Sequence, residues 1–332
     1  MHVAVFSAKP YDRMSLTAAS TGLPIEWHWY EPHLNPKTAR LAEGAVAVNC
    51  FVNDQLDAAT LQTLARLNVK LITLRCAGFN QVDLATAARL SLPVVRVPEY
   101  SPHAVAEHTI GLMLMLDRKL HKAYNRVRDG NFSLDGLLGF DLFGRTAGVV
   151  GMGRIGRRVA EILLGFGCRV LASDPTLDPG LAARGVVWMP LEELLAASDI
   201  VTLHCPLTPA TRHLIDGPAL ARMKRGAMLI NTSRGGLIDT PAVIRALKNG
   251  QLGQLGLDVY EEEADLFFDD HSSTIIHDDV FSRLLTFPNV VITAHQAFFT
   301  QNALDAIAAQ TVTNLMHFDR GEPLEAVVRA TV

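Results

Sequence analysis

At 332 residues and 49% hydrophobic, the chain is long enough to bury two sizeable cores. Its formal net charge of −4 gives no wholesale basic footprint for nucleic acid or an anionic membrane, and the apolar stretch TIGLMLML (109–116) is too short to span a bilayer. Cys50, Cys76, Cys168 and Cys205 are scattered without a CxxC pair, and no signal-peptide pattern follows Met1, so buried free thiols and a cytoplasmic location are expected.

Short β-branched runs alternate with helical patterns along the chain. HVAVF (2–6), GAVAVN (44–49), VKLITLR (69–75) and PVVRV (93–97) read as buried strands. Between them, AATLQTLARL (58–67) and QVDLATAARL (81–90) have helical spacing, so the first hundred residues form a small parallel α/β unit. Residues 100–130 read as one long helix, capped by Ser101, with Pro102 in its first turn and Gly130 at its end. Its few polar residues predict packing between domains or subunits. A second α/β series runs through strands at 146–150, 168–174, 185–189, 199–205, 227–233, 254–259 and 289–295 to a terminal helix at 299–321. The fold class predicted is α/β, with two doubly wound parallel sheets.

Gly151-Met152-Gly153-Arg154-Ile155-Gly156 follows an apolar strand and opens a helix, the context that a dinucleotide-binding turn requires. Gly151 permits the tight turn, Gly153 lets the backbone approach a pyrophosphate, and Gly156 lets helix and strand close together. The helix N-terminus offers free N–H groups to the phosphates. Asp174 ends the next strand, 23 residues after Gly151, where a carboxylate takes the ribose hydroxyls of NAD and repels the extra phosphate of NADP. Arg154 and Arg157 work against that preference, because nearby arginines favour NADP.

Three later stretches also end strands of this series, and ligands of such sheets gather at the carboxyl edge. NTSRGGLID carries Arg234, GLDVYEEE carries a run of acids, and TAHQAF carries His295. A hydride-transfer site needs a planar cation to grip and polarise a carboxylate-bearing carbonyl, which suits Arg. It needs a proton donor and acceptor, which suits His. It also needs a carboxylate to orient that His and favour its charged form. Periodicity does not choose among Glu261, Glu262 and Glu263.

The motifs RCAGFNQVD (75–83), VGMGRIG (150–156), NTSRGGLID (231–239), GLDVYEEE (256–263) and TAHQAF (293–298) together resemble the D-isomer-specific 2-hydroxyacid dehydrogenase family over essentially the whole chain. The tract 264–284 is similar to the lactate-type branch of that family. The resemblance implies that Arg234 binds substrate, that His295 is the acid/base, and that Glu263 is its carboxylate partner. Glu261 and Glu262 are then left as a solvated face. It implies cofactor contacts at Arg154, Ile155, Asp174, Cys205, Pro206, Thr211, Thr232, Ser233 and Arg234, with Asp258 near the nicotinamide; His204 is expected beside the cofactor or in packing. Backbone amides of Ala77 and Gly78 would hold the substrate carboxylate, and Tyr100 and Phe298 would line the substrate pocket.

The implied architecture is a Rossmann NAD-binding domain, residues 101–298, inserted in a flavodoxin-like substrate domain formed by residues 1–100 and 299–332. The implied reaction is reversible NADH-dependent reduction of pyruvate to D-lactate by a homodimer or homotetramer. The alternatives are a bulkier 2-oxo acid as substrate, or an NAD-sensing, co-repressor-like binding module. No metal site is expected. His271 and His277 lie among Asp269, Asp270, Asp278 and Asp279 without ligand spacing and read as a solvated loop, while His103, Glu107 and His108 read as packing or capping residues of their helix.

Overall fold

A computed structural model describes residues 1–329, the side chain of Asp265 aside. The chain divides into two compact units, Met1–Ser101 with Phe299–Val332, and Pro102–Phe298.

In the first unit, β1 (His2–Val5), β2 (Glu26–Trp29), β3 (Ala47–Cys50), β4 (Leu71–Leu74) and β5 (Val94–Arg96) form a parallel sheet of order β2-β1-β3-β4-β5. This is a flavodoxin-type doubly wound order. The apolar runs of β3 and β4 are wholly buried, as strands covered on both faces must be. One face packs Phe6, Leu34, Val48, Leu61 and Ile72. On the other, Leu315 of the terminal helix Gln301–Asp319 joins Val3, Ala47, Leu71 and Val95. Asn314 Nδ2 donates to the Arg96 carbonyl at 3.2 Å, and Val95 bridges to Val327. In this unit β2 and the helix Pro10–Ala19 carry too weak a pattern to be read from the sequence. EWHW alternates polar and aromatic residues, but it is only four residues long, without a β-branched residue, and lies part-exposed at the sheet edge.

Arg75, just after β4, is only 2% exposed. Its guanidinium donates to Asp12 Oδ1 at 3.1 Å, to Asn49 Oδ1 at 3.2 Å and to the Phe6 and Ser7 carbonyls at 2.8 and 2.9 Å. It ties the ends of β1, β3 and β4 together, and its planar fork fits the task where a lysine would not.

In the second unit, β6 (Thr146–Val150), β7 (Arg169–Ser173), β8 (Val187–Trp188), β9 (Ile200–Leu203), β10 (Ala227–Asn231), β11 (Leu252–Leu257) and β12 (Val290–Ile292) form a parallel sheet of order β12-β11-β10-β9-β6-β7-β8. Strand order reverses between β6 and β9. At such a switch point the crevice outside the carboxyl ends binds ligands.

The single helix expected over 100–130 is two, Pro102–Arg118 and Leu120–Arg128, broken at Lys119 with φ 52°. Burial accounts for the break. The first helix buries Ile110, Leu112, Met113 and Leu116 within its own unit, against β10, β11 and the helix Arg154–Gly165, whereas the second buries nothing. Gly256 of β11 admits the first helix closely, since a Cβ there would meet Leu116 Cδ1 at 3.1 Å and Leu112 Cβ at 3.4 Å.

Candidate active site

The glycine turn between β6 and the helix Arg154–Gly165 sits at the switch point. Gly151 has φ +91°, and a Cβ on it would lie 2.4 Å from the Cys205 nitrogen, so only glycine fits. A Cβ on Gly156 would strike the Gly151 carbonyl oxygen at 2.0 Å. Gly153, the helix N-cap, would meet no protein atom within 4 Å. Its lack of a side chain is therefore not demanded by the chain's own packing; it leaves the backbone open to a phosphate-bearing ligand, with Arg154 and Ile155 opening the helix above it.

Beside the turn lies a cavity of about 680 Å³ lined by Gly151, Asp174, Met189, Cys205, Pro206 and Thr211 among others. Asp174 Oδ2 accepts from the Met152 N–H at 2.7 Å and Oδ1 from the Thr176 N–H at 2.7 Å. A carboxylate has about four acceptor sites, so Asp174 keeps capacity for ligand hydroxyls while its charge opposes a phosphate. Arg157 pairs with Asp178 at 2.9 Å, which draws it away from any role as a phosphate clamp. Thr211 donates to the Pro206 carbonyl at 2.6 Å and Ser233 to the Cys205 carbonyl at 2.8 Å, tying the cavity wall to the loop after β10. Thr232 is buried against Thr109, hydroxyl to hydroxyl at 2.8 Å. Burial holds the His204 imidazole down to about 3 and pushes the Cys205 thiol up to about 11, so both are neutral near pH 7.

Strands β10, β11 and β12 deliver the other candidates to the same edge. After β10, Asn231 Nδ2 donates to the Arg234 carbonyl at 2.8 Å and its Oδ1 accepts the Ser233 N–H at 3.0 Å, shaping the loop that presents Arg234. Gly235 lies so close to the Tyr260 backbone that a Cβ would come within 2.0 Å of its carbonyl carbon. After β12, His295 Nδ1 stands 2.8 Å from Glu263 Oε1. An ionised carboxylate only accepts, so Nδ1 carries the hydrogen and Nε2 is the nitrogen left for exchange with a ligand. Glu263 is itself oriented, its Oε2 accepting the Tyr260 N–H at 2.9 Å.

Asp258, at the end of β11, is 1% exposed. Its Oδ1 accepts the Thr293 hydroxyl at 2.6 Å and the Gln296 N–H at 2.9 Å, while Oδ2 accepts the Ala297 N–H at 2.9 Å. These donors flank His295. Ala294 and His295 both adopt left-handed backbone, φ 51° and 57°, which costs non-glycine residues about 1–3 kcal/mol each. The Asp258 carboxylate thus holds a strained turn in place from beneath. Because Thr293 donates to Asp258, its oxygen accepts from His108 Nε2 at 2.9 Å, so His108 belongs to this network and does more than pack its helix.

Glu263 and His295 are in direct contact, Asp258 supports their turn, and Arg234 stands on the adjoining strand end. Phe298 is buried at 8% exposure just beyond. Within the first unit, Ala77 and Gly78 follow Arg75 at the carboxyl end of β4, with the Ala77 carbonyl accepting from Arg96 Nη1 at 2.6 Å; Tyr100 is part-buried after β5. Glu262 is exposed as expected, but Glu261 is not a solvated acid. Its Oε1 lies 2.6 Å from His213 Nε2, and its Oε2 accepts the Thr240 N–H and hydroxyl at 3.1 and 2.7 Å. The helix Thr240–Lys248 begins there, and its unpaired N–H groups recruit the carboxylate. The Phe268 ring centroid lies 5.5 Å from that of His295, a contact with no signal in the sequence, because no periodicity marks a ring delivered by an irregular loop.

A parallel sheet with a glycine turn at its switch point and an oriented His–carboxylate pair at the same edge defines a dinucleotide-binding enzyme equipped for proton transfer. The model of the "D-isomer specific 2-hydroxyacid dehydrogenase, NAD binding domain" matches residues 110–297. The D-lactate dehydrogenase of Escherichia coli K12 is 50% identical over 322 residues, covering 97% of this chain and 98% of that protein. A 2-hydroxyacid dehydrogenase homolog of Haemophilus influenzae is 49% identical over 99% of both chains. Among solved structures, D-lactate dehydrogenase from Aquifex aeolicus, complexed with NAD and lactic acid, superposes with a TM-score of 0.88 at 34% identity, covering 99% of this chain and 100% of that one. The chain belongs to the D-isomer-specific 2-hydroxyacid dehydrogenase family: it is an NAD-dependent oxidoreductase acting on CH–OH groups.

Proposed function

We propose that the chain reduces pyruvate to D-lactate reversibly with NADH. The observation that carries this reading is the His295–Glu263 pair, held at the carboxyl edge of an NAD-binding sheet in a chain about half identical to a D-lactate dehydrogenase. NADH, when bound, supplies the hydride that reaches C2 of the 2-oxo acid. His295 gives the Nε2 proton to the carbonyl oxygen, and in the reverse direction takes it back as base. Glu263 accepts the Nδ1–H, fixing the tautomer and stabilising the imidazolium. Arg234 polarises the carbonyl and anchors the substrate carboxylate with its planar fork. The family resemblance assigns further substrate contacts to the amides of Ala77 and Gly78 and to Tyr100 and Phe298.

The cofactor is held by the glycine turn, by Arg154 and Ile155, by Asp174 at the ribose, and by His204, Cys205, Pro206, Thr211 and Thr232 to Arg234 along the edge. Asp258 acts on the nicotinamide side by fixing the His295 turn. The first unit serves as the substrate domain and the second as the NAD domain. The working molecule is a cytoplasmic homodimer or homotetramer, a reading supported by the exposed apolar side chains of Leu134 (81%), Leu138 (89%) and Phe143 (80%). Among the described residues no helix is long and apolar enough to cross a membrane.

A second substrate reading, a bulkier 2-oxo acid, rests on the likeness to D-2-hydroxyisocaproate dehydrogenase (28% identity, TM-score 0.86). Steady-state NADH oxidation over a panel of 2-oxo acids, with chiral analysis of the product, separates the two. Pyruvate should give the highest kcat/KM and D-lactate. A higher value for a branched acid overturns the lactate assignment alone; no turnover of any 2-oxo acid overturns the enzyme reading in favour of an NAD-sensing module.

A further inference from the structure

We propose that His2, Glu26 and His28 form a binding site for a divalent transition-metal ion of the zinc type, separate from the catalytic apparatus. β1 and β2 pair in parallel with His2 opposite Glu26 and Ala4 opposite His28. Registered partners share a sheet face, and residues two apart on a strand share it too, so the three side chains converge on one side of the edge strand.

The distances match those of ligands around one ion. His2 Nδ1 is 3.2 Å from His28 Nε2, His2 Nδ1 is 3.4 Å from Glu26 Oε2, and His28 Nε2 is 3.4 Å from Glu26 Oε1. Tetrahedral zinc has metal–ligand bonds of about 2.0–2.1 Å to imidazole and carboxylate, which puts neighbouring ligand atoms ~3.3–3.4 Å apart. The two imidazole nitrogens stand near that separation with one carboxylate oxygen facing each, and one ligand atom from each of the three residues lies within 4.8 Å of the others, close enough to draw in around one ion. Two facing imidazole nitrogens can share only one hydrogen between them, whereas an ion uses both lone pairs and the carboxylate charge together. All three side chains are accessible, at 52%, 62% and 41% exposure, so the ion has an entry path and water can complete the shell. Two imidazoles and a carboxylate suit zinc or copper and disfavour magnesium or calcium.

His2 and Glu26 open their strands, so the site lies toward the amino edge of the first unit's sheet, opposite the carboxyl edge. An ion there would cross-link the edge strand β2 to β1. Its effect is on stability, not on turnover.

The test is calorimetric titration of Zn²⁺ into the untagged full chain at pH 7.5, repeated at pH 5.5. One ion per chain is expected at micromolar affinity or tighter, weakened at least tenfold in H2A, in H28A and in E26Q. Binding should be weaker at pH 5.5 than at pH 7.5, because protons and the ion compete for the same imidazole nitrogens. The thermal midpoint of the wild type, but not of H2A/H28A, should rise with Zn²⁺. Trp27 and Trp29 flank His28, so Cu²⁺ should quench wild-type emission stoichiometrically and the double variant's much less. In metal-free buffer the double variant should match wild-type NADH oxidation. Absence of stoichiometric binding, or binding undiminished in the double variant, overturns the proposal.

Discussion

Replacing Asp258 by asparagine leaves one acceptor oxygen where two now serve three donors. If that oxygen keeps the Thr293 hydroxyl and the Gln296 N–H, the new amide NH₂ faces the Ala297 N–H, at 2.9 Å in the wild type. A buried N–H then goes unsatisfied opposite another donor, at a cost of about 1–3 kcal/mol. The two surviving bonds also lose their charge and about half their strength. The total is on the order of 3–5 kcal/mol, comparable to the strain of about 1–3 kcal/mol at each of Ala294 and His295 that the carboxylate offsets. The turn should therefore relax and carry His295 out of place, and a shift of about 1 Å costs roughly 10²-fold in rate. The assay is steady-state kinetics of Asp258→Asn with NADH and pyruvate, beside a thermal melt. The expected result is kcat down about 10²-fold and a lower melting midpoint, with KM for NADH changed less than about threefold, because the damage acts through the turn. A folded variant with near wild-type kcat would refute this account of the turn.

His295→Ala should cost ~10²–10⁴-fold in turnover, the scale of a lost general acid, and an unchanged rate would remove His295 from the mechanism. Glu263→Gln removes the carboxylate that fixes the His295 tautomer and stabilises its charged form, so kcat for pyruvate reduction should fall on the order of 10²-fold or more; an unchanged kcat counts against the pairing. Arg75→Leu leaves the Asp12 carboxylate, 5% exposed, without its guanidinium partner and should cost about 3–5 kcal/mol in urea denaturation; a loss below about 1 kcal/mol would show that the network is dispensable. His204 has a folded value of about 3, against about 6.5 when unfolded, so the unfolded chain binds the extra proton between those values. Its contribution to stability is complete above about pH 6.5 and is lost as pH falls toward 3, with a ceiling of about 4–5 kcal/mol that its partial exposure reduces. His204→Asn should flatten the acid limb of stability, and an identical limb would refute the linkage.

Both sheets were legible because parallel strands covered on both faces must be continuously apolar, and runs such as AMLIN admit little else. The glycine turn was legible because two of its three glycines are sterically obligatory. Features that depend on distant side chains were not. Glu261 looks like its neighbours in the acidic run, and only the arrival of His213 and of the Thr240 helix start singles it out. Asp258 reads as a cofactor-side acid until the left-handed turn at 294–295 shows which donors surround it. The break at Lys119 follows from which turns find a surface to bury against, a tertiary fact that cap signals do not carry.

The return of the terminal helix to the first unit sets an order of events during synthesis. Residues 1–101 leave the ribosome before Leu315 and Val327, yet Leu315 and the Val95–Val327 bridge complete their sheet. At ~5–20 residues per second the intervening 197 residues of Pro102–Phe298 take about 10–40 s, long enough for that contiguous segment to fold. The earlier-made unit is thus completed after the later-made one, and its Val3–Ala47–Leu71 face, uncovered until then, is where chains stalled before Leu315 should aggregate.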